Sequence, residues 1–348
     1  MSFLLLLLGV ILPTATTENV CNNGGTKNKA IKSAFVAHPF NTEGAAVMVI
    51  SSTTHSDANE HSIIDVESFF GVERPTIDYI HGVHPSCPGG SWQSTSENQF
   101  FANFIYGTGG VFFAAEKLSR DLRVFLKTRY LPNRLSRSKP SQCNMNLSFH
   151  IDSSMSTVFV SVAAAYPSIQ FHSTNIHANI TTEVMVHTKS QYMMRMVTNQ
   201  PGVYSVNISS PSTDMCFPVV FSSGGPRLLI GFIQDQSSRD DPIPYAVKGS
   251  LNYPVFNMAY ENKSISGTPM DVEFRIESGT YTSNYTSAIS SRNNCAFSFI
   301  AEPIKCGNDN EVISVWARGK DNVGSDFTRY MRTSCHQLTE TTTLSPNT

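Results

Sequence analysis

The sequence predicts α/β plus β: a partial doubly wound α/β segment, then two antiparallel β-sandwich domains. Three observations predict it. Between residues 26 and 131, apolar runs of strand length alternate with runs of helical period. From Cys143 onward, helical spacing gives way to short alternating strands punctuated by Pro, Ser, Asn and Gly. Seven cysteines follow an apolar leader, the usage expected where disulfides support extracellular domains.

The chain of 348 residues begins MSFLLLLLGVILPTATT. Residues 1–17 read as a signal peptide, although no Lys or Arg precedes the apolar run Phe3 to Leu12. That run is too short for a membrane span, and no later stretch approaches the roughly 20 residues one needs. The expectation is a secreted, extracellular protein with no membrane span. A formal charge of −2 gives no field that would draw nucleic acid. Residues 337–348 read as a disordered Thr-rich tail whose polarity excludes a GPI signal.

In the first third, NKAIKSAFVAHPF is a helix and AAVMVISST a strand. DANEHSIIDVESFFG is a helix with a capping box at Asp57 and Glu60, and Gly71 closes it. TIDYIHGV is a strand. STSENQFFANFIYGTGG is a helix boxed by Ser94 and Glu97, and VFFAA is a third strand. EKLSRDLRVFLKTRYL is amphipathic, carrying Leu118, Leu122, Phe125 and Leu126 on one face. Seven short strands from NLSFHID to CFPVVFSS then make the first sandwich. Cys143 and Cys216 bracket it, and a disulfide between them would tie first strand to last. Six strands from RLLIGFIQ to DFTRYMRTSC make the second; its three cysteines, Cys295, Cys306 and Cys335, close at most one pair. An odd count leaves one thiol free or available for a covalent dimer.

HIDSSMST holds D-x-S-x-S, with Asp152, Ser154 and Ser156 as candidate oxygen ligands for a divalent cation. The motif resembles the cation loop of von Willebrand factor A domains, which in that family enters an amphipathic helix, but here Val158, Val160 and Val162 alternate as in a strand. A hairpin turn is therefore the reading, where Asp and Ser supply local hydrogen bonds. His81, His84 and Cys87 in HGVHPSC are weak zinc candidates; a disulfide at Cys87, with Cys21 as a candidate partner, is preferred in an oxidising compartment. No nucleophile elbow and no H-E-x-x-H occurs, so no catalytic residue and no cofactor is nominated. Arg120, Arg123 and Lys127 are candidate contacts for an anionic glycan, and Trp92 in a Gly-rich loop is a candidate carbohydrate platform. Arg137 ends an R-x-x-R pattern open to secretory processing. Sequons stand at Asn146, Asn179, Asn207, Asn262 and Asn284.

VISSTTHSD, YIHGVHPSC and NQFFANFIYGTGGVFF together resemble the second half of a von Willebrand factor A (VWA) domain, over residues 26 to 131. The half that carries the metal-binding strand in that family is missing, so the resemblance implies a truncated domain without a metal-dependent adhesion site. QPGVYSVNISSPSTDMC is similar to a strand that follows VWA domains in hemicentin-like, immunoglobulin-like modules. SGGPRLLIGFIQD and VWARGKDNVGSDFTRYMRTSC are similar to a C-terminal module of secreted nematode proteins. The resemblance implies an extracellular setting, in host defence or matrix contact.

These readings place a VWA-like domain at 21–133, a basic linker at 134–142, a β-sandwich at 143–225 and a second immunoglobulin-like sandwich at 226–336. The expected function is non-enzymatic binding of an extracellular protein or glycan. The competing readings are an extracellular hydrolase and cation-dependent adhesion through Asp152, Ser154 and Ser156.

Overall fold

A computed structural model describes residues 46–51, 76–82, 102, 105, 106, 110–129, 133–137, 141–173, 179–212, 215–224, 227–237, 242, 243, 245–259, 268–278, 281–293, 298–307, 311–321 and 323–336. The leader, Cys21, His84, Cys87, Trp92, Asn262, Cys295 and the tail lie outside them. The chain forms two compact units: residues 1–227 with Lys320–Tyr330, and residues 228–319 with 331–348.

The first unit opens with strands β1 (Ala46–Ser51), β2 (Thr76–Gly82) and β3 (Phe112–Ala115), parallel and in the order β1-β2-β3. Helix α1 (Leu118–Arg129) follows. Gly110 lets the backbone pass β2 closely: a Cβ there would sit 1.6 Å from the Ile77 carbonyl oxygen. The buried Asp78 carboxylate then accepts the Val111 N–H at 2.8 Å.

Next come β4 (Asn133–Arg137), β5 (Ser141–Gln142), β6 (Met145–Ile151), β7 (Met155–Ala163), β8 (Ser168–Ser173), β9 (Thr181–His187), β10 (Gln191–Val197), β11 (Gly202–Ser209) and β12 (Met215–Gly224). One sheet runs β6-β11-β8 and the other β4-β12-β7-β10-β9, with β5 paired to β12; all of these pairings are antiparallel. Leu147, Phe149 and Ile151 of β6 and Tyr204, Val206 and Ile208 of β11 face Val158, Val160 and Val162 of β7 across a common core. The immunoglobulin layout puts strands A, B, E and D in one sheet and C, F and G in the other. Counting β6 as the first strand and β12 as the seventh, this sandwich exchanges the places of those two. The Cys143–Cys216 disulfide joins them. Tyr204 donates its hydroxyl to the Gln200 carbonyl at 2.7 Å, the corner such sandwiches use between their fifth and sixth strands.

A second core lies on the other side of the β7 sheet. Phe159, Met193, Val186, Val219 and Phe221 meet Ile80, Val111, Phe113, Ala115 and Phe125 there. Phe112 stacks on Phe217 at 4.3 Å. The fully buried Gln191 bridges the two layers, accepting the Ala114 N–H and donating to Ser161 Oγ, each at 2.9 Å.

The second unit is built on one nine-stranded sheet. Its strands are β13 (Arg227–Ile233), β14 (Ala246–Val247), β15 (Leu251–Ala259), β16 (Thr268–Ser278), β17 (Tyr281–Asn293), β18 (Ser298–Ala301), β19 (Ile304–Lys305), β20 (Val312–Lys320) and β21 (Asp326–His336), of which the part of β21 up to Tyr330 belongs to the first unit. The order is β13-β15-β18-β17-β16-β20-β21-β14, with β19 paired to β15. Cys306 and Cys335 form a disulfide.

The expected doubly wound, VWA-like α/β domain is overturned. Among the described residues 69% lie in strands and 7% in helix, and antiparallel sheets dominate. The three parallel strands lie where their apolar runs placed them, but their order never reverses, and a doubly wound sheet requires that reversal. Alternation of strand and helix reports local conformation; it does not report that a neighbouring antiparallel sheet takes the place of the missing layer. Three further readings change. The segment expected as a linker contains β4, which pairs with β12 and buries Leu135. The D-x-S-x-S turn joins β6 to β7, which lie in different sheets, so it is a crossover and not a hairpin. The region read as a second immunoglobulin-like sandwich hydrogen-bonds into a single sheet.

Candidate functional site

The Asp152 turn brings three buried charged side chains, Asp152, Asp321 and Arg329, together in the first unit. Asp152 Oδ1 accepts the Ser154 N–H at 3.0 Å and the Ser154 hydroxyl at 2.5 Å, the local turn that Asp favours. Its Oδ2 receives Arg329 Nη2 at 2.5 Å, with both side chains buried. Ser153 donates its N–H to Asp321 Oδ2 at 2.9 Å, while Asp321 Oδ1 takes the N–H groups of Val323 and Ser325. His150 Nδ1 and the Thr328 hydroxyl meet at 2.9 Å. Ser156 is exposed and is the second residue of β7. Both Asp152 oxygens are thus engaged by protein groups, and a cation bound there would have to displace a guanidinium.

Burial pulls the Arg329 guanidinium down from its usual range, against the attraction of Asp152 and Asp321. Burial pushes Asp321 up, but the hydrogen bonds from Ser153, Ser325 and Val323 outweigh it and hold the carboxyl below its usual range. The pattern D-x-S-x-S made Asp152 and Ser154 legible; Asp321 and Arg329 were not, because 177 residues separate Arg329 from its partner.

Helix α1 carries a second arrangement. Phe125 is buried, and Leu122, Val124 and Leu126 pack against the outer core. The Asp121 carboxylate accepts the Glu116 and Lys117 N–H groups at 3.1 and 2.9 Å, fixing the turn into the helix. Arg120, Arg123 and Lys127 are exposed. At 3.6 residues per turn they fall within an arc of about 60°. Among the described residues none of the three forms an ion pair.

His81 is buried in β2, with Tyr79 stacked at 6.2 Å and Phe112 at 6.3 Å. Of the sequon asparagines, Asn146, Asn179, Asn207 and Asn284 are exposed. In the second unit, Cys306, Glu311 and Cys335 bring two sulfurs and a carboxylate oxygen within 4.8 Å of one another. The sulfurs are bonded to each other and Glu311 Oε2 accepts the Gly307 N–H at 3.0 Å, so the trio fastens a turn. Glu311 drew no attention in the sequence, where nothing distinguishes it from a surface carboxylate. No helix among the described residues is long and apolar enough to cross a membrane.

No known protein family matches this chain, and no curated protein does. Among solved structures, a DUF4785 family protein from Legionella pneumophila is similar over 59% of this chain and 62% of its own, at 8% identity and a TM-score of 0.32. The chain therefore spans about three fifths of that protein. The Bacillus licheniformis lipase BlEst2 in its propeptide form is similar over 88% of this chain and 82% of its own, at 8% identity and a TM-score of 0.29.

Proposed function

We propose that this is a secreted, non-enzymatic binding protein whose exposed basic face on α1 meets an anionic extracellular glycan. The observation that carries the reading is the stripe of Arg120, Arg123 and Lys127, presented outward by a helix whose opposite face is locked into the core. Cations clustered within about one Debye length act together on a polyanion, and their contribution falls as salt rises. Two disulfides between buried cysteines support an oxidising compartment, as the apolar leader does.

The test is retention on immobilised heparin, as a sulfated probe, with elution by a salt gradient. The wild-type protein elutes at a higher salt concentration than the triple variant Arg120→Glu/Arg123→Glu/Lys127→Glu, and Lys305→Glu in the second unit elutes with wild type. Equal elution of the triple variant and wild type sinks the reading.

A further inference from the structure

The sequons at Asn146 and Asn207 lie 61 residues apart in the chain, and the fold makes them direct neighbours. Register pairs Asn207 of β11 with Asn146 of β6, and Asn146 Nδ2 donates to Asn207 Oδ1 at 2.8 Å. Asn207 Nδ2 in turn lies 3.0 Å from His172 Nε2 on β8. Both asparagines are exposed on the outer face of the three-stranded sheet. Residues i and i+2 of a strand share a face, so the sequon hydroxyls of Ser148 and Ser209 point the same way, and both are exposed. The rest of that face is Ser168, Gln170, His172 and Ser205, with His150 and the exposed Val203 paired at one end of it. Protein interfaces are anchored by clusters of aromatic and apolar groups, and this face offers one exposed aliphatic side chain, Val203, at its end. A mainly polar sheet face with two exposed, paired amides is instead suited to carrying sugar.

We infer that Asn146 and Asn207 both carry N-linked glycans and together form one glycan patch that covers the outer face of β6-β11-β8. The inference rests on the secretory reading above. The donor class is an oligosaccharide held on a lipid pyrophosphate. The Nδ2 nitrogen forms the bond to C1 of the first sugar, the C1–O bond to the pyrophosphate breaks with its electron pair leaving on oxygen, and one amide proton passes to the transferase. Nothing is oxidised or reduced. The reaction takes place on the emerging chain, and folding then sets the two sugars side by side, leaving the basic face of α1 for partners.

The experiment expresses the full chain in a eukaryotic secretory host and treats the protein from the medium with peptide N-glycosidase in ¹⁸O-water. Each glycosylated asparagine becomes a heavy-oxygen aspartate, read by peptide mass spectrometry. Label at both Asn146 and Asn207 is the expected result. Secreted protein lacking label at either position overturns the patch while leaving the secretory reading intact. A product retained inside the cell, unlabelled and with reduced cysteines, overturns both. Ser148→Ala/Ser209→Ala keeps the Asn146–Asn207 hydrogen bond and removes only the acceptor signals; its secreted form is lighter than wild type by two glycans. An unchanged glycan mass in that variant also sinks the inference.

Discussion

The two sheets of the first unit's sandwich share one core but have different outer faces. In β6 and β11, inward Leu147, Phe149, Tyr204 and Val206 alternate with outward Asn146, Ser148, Ser205 and Asn207. In β7, every residue from Thr157 to Ala163 is buried. The reason is in the second core: Phe159, Ser161 and Ala163 point away from the sandwich, and β3 and α1 cover that side. Strict alternation marks a sheet that meets water, and a continuous apolar run marks one covered on both sides. The TVFVSVAAA run, read from its alternating valines as one more sandwich strand, is buried on both faces, and the covering layer is the segment read as a separate domain.

The largest expected effect sharpens this contrast. Phe159→Ala removes a ring from the covered face and should destabilise the protein by about 3–5 kcal/mol, as buried Phe truncations do. Gln170→Ala, on the bare face, should stay within about 0.5 kcal/mol. Urea denaturation of the two variants measures both. Equal losses would mean that the parallel segment does not cover β7 in solution.

The Asp152 turn is where the chain leaves the bare sheet for the covered one. Arg329→Ala should cost about 3–5 kcal/mol, because it leaves the Asp152 carboxylate buried without its cation. Replacing both members, as Asp152→Ala/Arg329→Met, should recover most of that loss, since neither member of the pair is then left buried without the other. Additive losses in the double variant would show that the pair acts through something other than mutual neutralisation.

How much of this was legible is clearest at particular residues. The β1, β2 and β3 runs and the amphipathic helix were readable because each has its own period. The Cys143–Cys216 pairing was readable because the cysteines bracket a run of strands. The crossover at Asp152 was not, since a turn has the same composition whether it joins strands of one sheet or of two. Gln191 was equally silent: a glutamine at the start of a strand gives no sign that it bridges Ala114 and Ser161. The register that unites Asn146 with Asn207 depends on which strands pair, and antiparallel pairing is set by the tertiary fold.

A smaller effect tests the bridge between layers. Gln191→Leu keeps the side-chain bulk but leaves the Ala114 N–H and the Ser161 hydroxyl without that partner. The cost should be about 1–3 kcal/mol. Amide hydrogen exchange should show faster opening at Ala114 than at Val206 in the inner core. Unchanged exchange at Ala114 would remove Gln191 from the account of how the layer is held.

The smallest effect is electrostatic and concerns the same crossover turn. Hydrogen bonds from Ser153, Val323 and Ser325 hold the folded Asp321 carboxyl below its ordinary value. A depressed folded value means that the unfolded chain binds more protons across the interval between the two, so stability rises with pH there. The contribution is fully present above the unfolded value, about 3.9, and is lost as pH falls through the folded one. Urea midpoints at pH 7, 5, 4 and 3 should therefore drop further for wild type than for Asp321→Asn, with the difference arising below about pH 4. Asparagine has no charge to lose and keeps one acceptor oxygen, so its profile isolates the ionised form. Parallel profiles would show that the turn is held by its backbone geometry and the Asp152–Arg329 pair, without help from the Asp321 charge.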